Sequence, residues 1–170
     1  MAKHPFIQRL DRGPLLGDGA QGTELYRQGV LPDQVSIANI DQPELVQELH
    51  LAYLQAGAEL IETNSFGANR IQLGYTGHAA DVDRVNRQAA KLARYARDTA
   101  GSQAFIAGSV SPLTIASRTT TRYAPEQARA LFSEQIIGLI EGGVDLLVFE
   151  TFPDVEELAF AVETAHQLCQ

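Results

Sequence analysis

The chain has 170 residues, of which 45% are hydrophobic and 20% charged, and its formal net charge is −8. This is the composition of an ordinary globular domain and excludes a largely disordered chain. The acidic balance, without a Lys/Arg patch, argues against nucleic-acid or anionic-membrane partners. No apolar run approaches the roughly 18 residues of a membrane span, and the N-terminus lacks the apolar core of a signal peptide. We therefore expect a cytoplasmic protein.

In chain order, four short apolar runs predict buried strands at residues 14–17, 59–63, 104–110 and 144–150. Segments with helical periodicity predict helices over 43–56, 82–100, 125–141 and 153–168. Asp41 is the expected N-cap of the first helix, and Pro125 suits the first turn of the third. The alternation predicts an α/β fold of four right-handed βα units on a parallel sheet. Such a chain is either a small open sheet or half of an eight-unit barrel.

Polar residues follow all four predicted strands, where ligands bind in parallel α/β folds. Asp18 and Glu150 each follow an apolar run, so we expect their carboxylates to converge on one pocket. Two carboxylates in a cleft suit a ligand ammonium group or general acid–base chemistry. Glu62 lies one residue earlier in its strand and is expected to face the helix layer. Four further polar side chains are either hydrogen-bonding partners of a ligand or formers of strand-end turns: Thr63, Asn64, Ser109 and Ser111.

Gly17, Gly19 and Gly22 spell G-x-G-x-x-G, the pattern of a dinucleotide-binding loop. That fingerprint requires a long helix directly after the loop and an acidic residue about 20 positions further on. Here the chain passes through Gly29 and Pro32 before a long helix, and Glu62 lies too far along. The glycines are therefore expected to free backbone N–H groups for a small anion such as a carboxylate. The interpretation as a nucleotide-dependent oxidoreductase rests on the glycine pattern alone.

The remaining chemistry-bearing residues carry little functional signal. The four histidines have no metal-ligand spacing and are expected on the surface or in helix packing: His4, His50, His78 and His166. Cys169, the single cysteine, cannot form an intrachain disulfide and is expected to be a small apolar filler in a helix. Residues 119–122 form either a solvated loop or a lid.

Four segments of the chain resemble, in order and spacing, the homocysteine-binding domain of homocysteine S-methyltransferases. They are GDGAQGTELYRQG, AELIETNSFGANRIQL, IAGSVSPL and EGGVDLLVFETFPDVEELAFAV. This family includes the N-terminal module of cobalamin-dependent methionine synthase, betaine–homocysteine methyltransferase, and bacterial fusions with methylenetetrahydrofolate reductase. The four motifs cover most of the chain.

The resemblance implies a (β/α)8 barrel, of which residues 1–170 are the N-terminal half. It implies homocysteine bound at the carboxyl end of the barrel, with its thiol held by zinc for attack on a methyl donor to give methionine. Asp18 and Glu150 would hold the amino-acid ammonium group. The backbone of Gly19, Ala20 and Gln21 would receive the carboxylate, and three polar side chains would line the pocket: Thr63, Asn64 and Ser109.

The family's zinc ligands are three cysteines in the second half of the barrel, and Cys169 does not match them. We therefore expect this chain to supply the amino-acid-anchoring half, without catalytic or metal-ligand residues. Alone it is expected to be poorly stable, or to pair with the missing half or with itself. The alternative is a non-catalytic half-barrel that binds an amino acid or a partner chain. The motifs name no methyl donor.

Overall fold

The computed structural model describes residues 3–113 and 123–169. A parallel sheet of three strands lies at its centre, in the order β1 (Leu60–Glu62), β2 (Phe105–Val110) and β3 (Leu146–Phe149). In register, Ile61 lies opposite Ile106 and Ser109 opposite Val148. The predicted strands at 59–63, 104–110 and 144–150 are confirmed with tighter bounds.

The predicted strand at 14–17 is wrong in extent, because it contributes only one isolated parallel bridge, between Gly17 and Leu60. The segment still runs beside β1: Leu16 O accepts the N–H of Glu59 at 2.8 Å, and Asp18 N donates to Leu60 O at 2.9 Å. Pro14 has no N–H to extend this pairing. The structure thus holds Asp18 at the edge of the sheet without a full first strand.

Helices connect the strands, as parallel pairing requires. The four long ones confirm the predicted helices: α4 (Pro43–Gln55), α6 (Val82–Thr99), α7 (Pro125–Gly142) and α8 (Val155–Leu168). The short elements were not predicted, namely α1 (Pro5–Leu10), α2 (Gln21–Arg27), α3 (Ala38–Asp41), α5 (Arg70–Gly74) and a 3-10 turn (Ala79–Asp81). None of the helices described is long and apolar enough to cross a membrane.

The helix ends follow the sequence signals with one exception. Pro125 opens α7, and Gly143 ends it in the left-handed conformation with φ +94°. Asp154 caps α8 by accepting the N–H groups of Glu156 and Glu157. The predicted N-cap Asp41 is wrong: it is the last residue of α3, and Gln42 precedes α4 without a side-chain cap bond.

The core lies between the sheet and the long helices. Ile61 and Ile106 point from β1 and β2 into it and are fully buried, as is Phe132 of α7. Helices α6 and α7 pack so closely that a Cβ built on Gly142 would lie 2.6 Å from the Cβ of Ala90. Only glycine fits at that crossing. The helix layer thereby fixes which face of each strand is buried beneath it.

Candidate functional site

A cavity of about 510 Å³ opens at the carboxyl edge of the sheet. Its walls come from the loop before α2, the segment after β1, the end of β2 and the residue after β3. Four acidic side chains line it, Asp18, Asp33, Glu62 and Glu150, and its described lining includes no lysine, arginine or histidine. A cavity with this charge suits a ligand that carries a cationic group.

Asp18 is held in place by the neighbouring strand. Its Oδ2 accepts the backbone N–H of Glu62 at 2.9 Å and the Nε2–H of Gln21 at 3.2 Å. Burial raises the pKa of Asp18 to about 6, although both of these hydrogen bonds lower it. The carboxylate is thus oriented by the protein while one flank remains in the cavity.

Gly19 allows a side chain of α4 to approach the loop. A Cβ built on Gly19 would lie 3.0 Å from the Oη of Tyr53, and that hydroxyl lies 3.3 Å from Ala20 O. By contrast, a Cβ on Gly17 would meet nothing within 4 Å, and one on Gly22 would make only ordinary contact with Tyr26. In a dinucleotide loop the third glycine allows close packing of helix on strand. Of the three glycines here, Gly19 alone is needed for close packing, against Tyr53.

Gln21 joins this loop to β1. Its Nε2 donates to Glu62 O at 2.6 Å as well as to Asp18, while its buried Oε1 has no partner among the described residues. A buried amide oxygen without a partner is costly. Gln21 nevertheless fixes the loop against β1 through its amide nitrogen.

Glu62 does not face the helix layer, contrary to the sequence-based expectation. Neighbouring residues of a strand point to opposite faces, and the preceding Ile61 fills the core beneath the helices. Glu62 therefore points into the cavity, where its carboxyl group is in hydrogen-bonding contact with that of Glu150. Burial, together with the charges of Glu150 and Asp18, raises the pKa of Glu62 to about 7.

Glu150 follows β3 directly, and its N–H donates to Val110 O at 3.1 Å. The Oγ–H of Ser109 donates to Glu150 Oε1. The next residue, Thr151, has φ +61°, which is strained for a β-branched side chain. The predicted convergence of Asp18 and Glu150 on one cavity is present, with Glu62 as a third carboxyl group.

The predicted polar lining residues reach the cavity but are also committed to internal hydrogen bonds. Thr63 Oγ1 lies 2.6 Å from Ser65 Oγ and accepts the N–H of Ser109 at 3.1 Å. Asn64 Nδ2 donates to Val35 O at 2.7 Å. Ser111 is buried and donates to Pro112 O at 2.9 Å, outside the cavity lining. These side chains brace the strand ends, and contact of Thr63, Asn64 or Ser109 with a ligand stays a prediction.

Metal-ligating residues do not cluster in the described parts of the chain: no group of three His, Cys, Asp or Glu could hold a metal ion there. Cys169 is exposed after α8, so its prediction as a buried filler is wrong. His50 lies in helix packing, as expected of this residue, and is fully buried in α4. Residues 119–122 lie outside the described residues.

Comparison with known proteins places the chain in a family. A family model described as homocysteine S-methyltransferase matches residues 15–169. The methionine synthase of Mycobacterium tuberculosis (strain ATCC 25618 / H37Rv) is 30% identical over 168 residues, which are 92% of this chain and 14% of that protein. Betaine–homocysteine S-methyltransferase 1 of Rattus norvegicus is 29% identical over 171 residues, covering 95% of this chain and 40% of the relative.

Among solved structures, the homocysteine methyltransferase MmuM from Escherichia coli in its metallated form is similar, with a TM-score of 0.84 and 30% sequence identity. The match covers 97% of this chain and 63% of that one. The chain therefore spans only part of the length of each of these relatives.

The structure is an α/β fold with a parallel sheet, and it matches the fold of the homocysteine methyltransferases. Because the family model covers most of its length, the chain belongs to the homocysteine S-methyltransferase family. The resemblance drawn from the four sequence motifs is confirmed.

Proposed function

We propose that this chain is the N-terminal half of a homocysteine-binding domain, four βα units of a (β/α)8 barrel, spanning residues 1–170. Its role is to anchor the amino-acid end of homocysteine for S-methyl transfer that gives methionine. The observation that carries this proposal is the acidic cavity at the carboxyl edge of the sheet, with no basic side chain in its described lining. Membership of the homocysteine S-methyltransferase family supports the choice of amino acid.

In this proposal Asp18 and Glu150 receive the ammonium group of the substrate. Hydrogen bonds orient both carboxyl groups, from Glu62 N–H and Gln21 to Asp18 and from Ser109 to Glu150. A preoriented carboxylate binds an ammonium group without first losing side-chain freedom. The backbone of Gly19, Ala20 and Gln21 receives the substrate carboxylate at the other wall, and three polar side chains complete the lining: Thr63, Asn64 and Ser109.

Zinc is implied by the family resemblance, but the described residues do not fit it, since no group of three His, Cys, Asp or Glu among them is placed to hold a metal ion. What these residues do is bind and orient the amino-acid group. The methyl donor is a second small molecule that they do not identify.

The proposal is tested by calorimetric titration of the purified protein with L-homocysteine, L-methionine and 4-(methylthio)butanoate, which is methionine without its amino group. We expect both amino acids to bind and the deaminated acid to bind at least tenfold more weakly, since a charge-assisted hydrogen bond contributes about 1.5–3 kcal/mol. Asp18→Asn and Glu150→Gln are each expected to weaken the binding of L-methionine by about tenfold or more. Asp33→Asn, at an exposed carboxylate of the cavity rim, is the control and is expected to change affinity by about twofold or less.

Equal binding of methionine and its deaminated analogue would refute an ammonium site. Protein isolated from its source without zinc and with the 18.5 kDa mass of this chain alone would favour the non-catalytic binding module. A larger species that carries zinc would favour the methyltransferase.

A further inference from the structure

Glu62 is a cavity carboxyl group to which the proposed function gives no task, and unlike Asp33 it is not exposed. It comes from β1, between Asp18 at the sheet edge and Glu150 beyond β3. Its carboxyl group contacts that of Glu150, while its backbone N–H holds Asp18 at 2.9 Å. The side chain therefore lies within an array of three carboxyl groups at one wall of the cavity.

Two carboxylates in hydrogen-bonding contact cannot both be ionised at low cost, unless a cation neutralises them. No basic side chain is present in the described lining of this cavity. Contact between two carboxyl groups also requires a proton between them, since an ionised carboxylate only accepts hydrogen bonds.

We propose that Glu62 keeps its proton in the empty cavity, where it donates a hydrogen bond to the Glu150 carboxylate, and that the ammonium group of an amino acid takes the place of this proton on binding. This inference rests on the proposed function. Glu62 is thus a positioning residue that keeps the Glu150 carboxylate in place before the ligand arrives and completes its cation site afterwards.

The surroundings of Glu62 support this assignment. The titratable groups that act on it are Glu150 after β3 and Asp18 before α2. Ser109 of β2, which carries no charge, lines the same cavity and hydrogen-bonds Glu150. Beyond Asp18 lie the phenol of Tyr53 in α4 and the ion pair of Glu24 and Arg27 in α2, in which the Arg27 cation is paired with Glu24 at 2.6 Å. The pKa of Glu62, raised to about 7 by burial and these carboxylates, places the proton loss near neutral pH.

The exchange conserves charge in the cavity. With Glu62 protonated, the three carboxyl groups of Asp18, Glu62 and Glu150 together carry two negative charges. Binding of an ammonium group adds one positive charge and releases the proton to the buffer, so the total remains minus two. Below pH 7 the apparent affinity for an amino acid should therefore rise about tenfold for each pH unit, and above pH 8 it should be flat.

The test is calorimetric titration of the protein with L-methionine at pH 6.5 in two buffers of different ionisation enthalpy. L-Methionine is the probe because its thioether does not titrate. The difference in apparent binding enthalpy gives the number of protons released, which we expect to be about 0.7–1 at pH 6.5 and near zero at pH 8.5, from a pKa of about 7. In a matched titration, Glu62→Gln is expected to release only the smaller fraction that comes from Asp18, about 0.2–0.3 protons at pH 6.5 from a pKa of about 6. The tenfold rise in affinity between pH 6 and 7 should be absent. Glu48→Gln, the same change at an exposed position of α4, is expected to behave as the parent protein.

Each outcome decides the matter. Binding with proton release that falls to the Asp18 fraction in Glu62→Gln, and not in Glu48→Gln, supports the proton on Glu62. Binding without proton release, or release that is undiminished in Glu62→Gln, overturns this inference and leaves the proposed function standing. If L-methionine does not bind the parent protein, both proposals are wrong.

Discussion

Replacing Glu62 by glutamine should stabilise the empty protein, and only at neutral and alkaline pH. The pKa of this carboxyl group is raised from 4.5 to about 7 by burial and by its acidic neighbours. The unfolded chain therefore loses the proton first as pH rises, and the folded state becomes progressively less stable between about pH 4.5 and 7. Glutamine has nearly the same shape and carries no charge, so the variant does not lose stability in this way as pH rises.

The size of the effect follows from the same values. A rise from 4.5 to about 7 corresponds to about 3.4 kcal/mol at 1.36 kcal/mol per pH unit. The carboxyl group is only partly buried and is screened by solvent, so we expect about 1–2 kcal/mol. For a chain of this length that is a rise in Tm of roughly 2–8 °C.

The assay is urea unfolding of the parent protein and of Glu62→Gln at pH 4.5 and pH 8, with Glu48→Gln as the exposed control. We expect the free energies of unfolding of the parent protein and Glu62→Gln to differ by less than about 0.5 kcal/mol at pH 4.5. At pH 8 we expect Glu62→Gln to be more stable by about 1–2 kcal/mol. An equal gain at both pH values, or a loss at pH 8, would refute the electrostatic explanation.

Three further substitutions test other contacts. Gly19→Ala places a Cβ 3.0 Å from the Oη of Tyr53, whereas the Cβ of Gly17→Ala meets nothing within 4 Å. Calorimetry should therefore show several-fold weaker L-methionine binding for Gly19→Ala alone. An equal loss of affinity in both variants would contradict a role for this contact. Gly142→Ala forces a contact of 2.6 Å against α6 and should lower the free energy of unfolding by about 1–3 kcal/mol in urea melts. An unchanged free energy of unfolding would show that α6 and α7 can move apart to accommodate the methyl group without cost. Burial lowers the pKa of His50 from 6.5 to about 4, so between pH 7 and 4.5 the parent protein should lose about 2–3 kcal/mol more stability than His50→Leu. If the free energy of unfolding of the two proteins fell equally between pH 7 and 4.5, this burial would be contradicted.

The strands and long helices could be predicted because apolar runs and helical periodicity are local signals. The extent of the strand predicted at 14–17 was overestimated, since an apolar run does not show how many backbone hydrogen bonds the adjacent strand can supply. Only Leu16 and Asp18 bond to the segment leading into and forming β1, and the Leu16 side chain is 57% exposed. The short helices lack enough turns for a periodic pattern to be visible.

The candidate site was predicted only in part. The convergence of Asp18 and Glu150 follows from their places at strand ends, because those ends meet at one edge of a parallel sheet. The direction of Glu62 depends on which neighbour fills the core, and the alternation rule applied to Ile61 was the available signal. The approach of Tyr53 to Gly19 joins positions 34 residues apart, so it depends on how α4 packs and has no local signature.

The most direct measurement of the central claim is a crystal structure of the protein with L-homocysteine bound. Our account predicts the ammonium nitrogen within about 2.7–3.2 Å of carboxylate oxygens of both Asp18 and Glu150, with the substrate carboxylate on the backbone of residues 19–21. A ligand bound with its carboxylate toward Asp18 and Glu150, or outside this cavity, would contradict it.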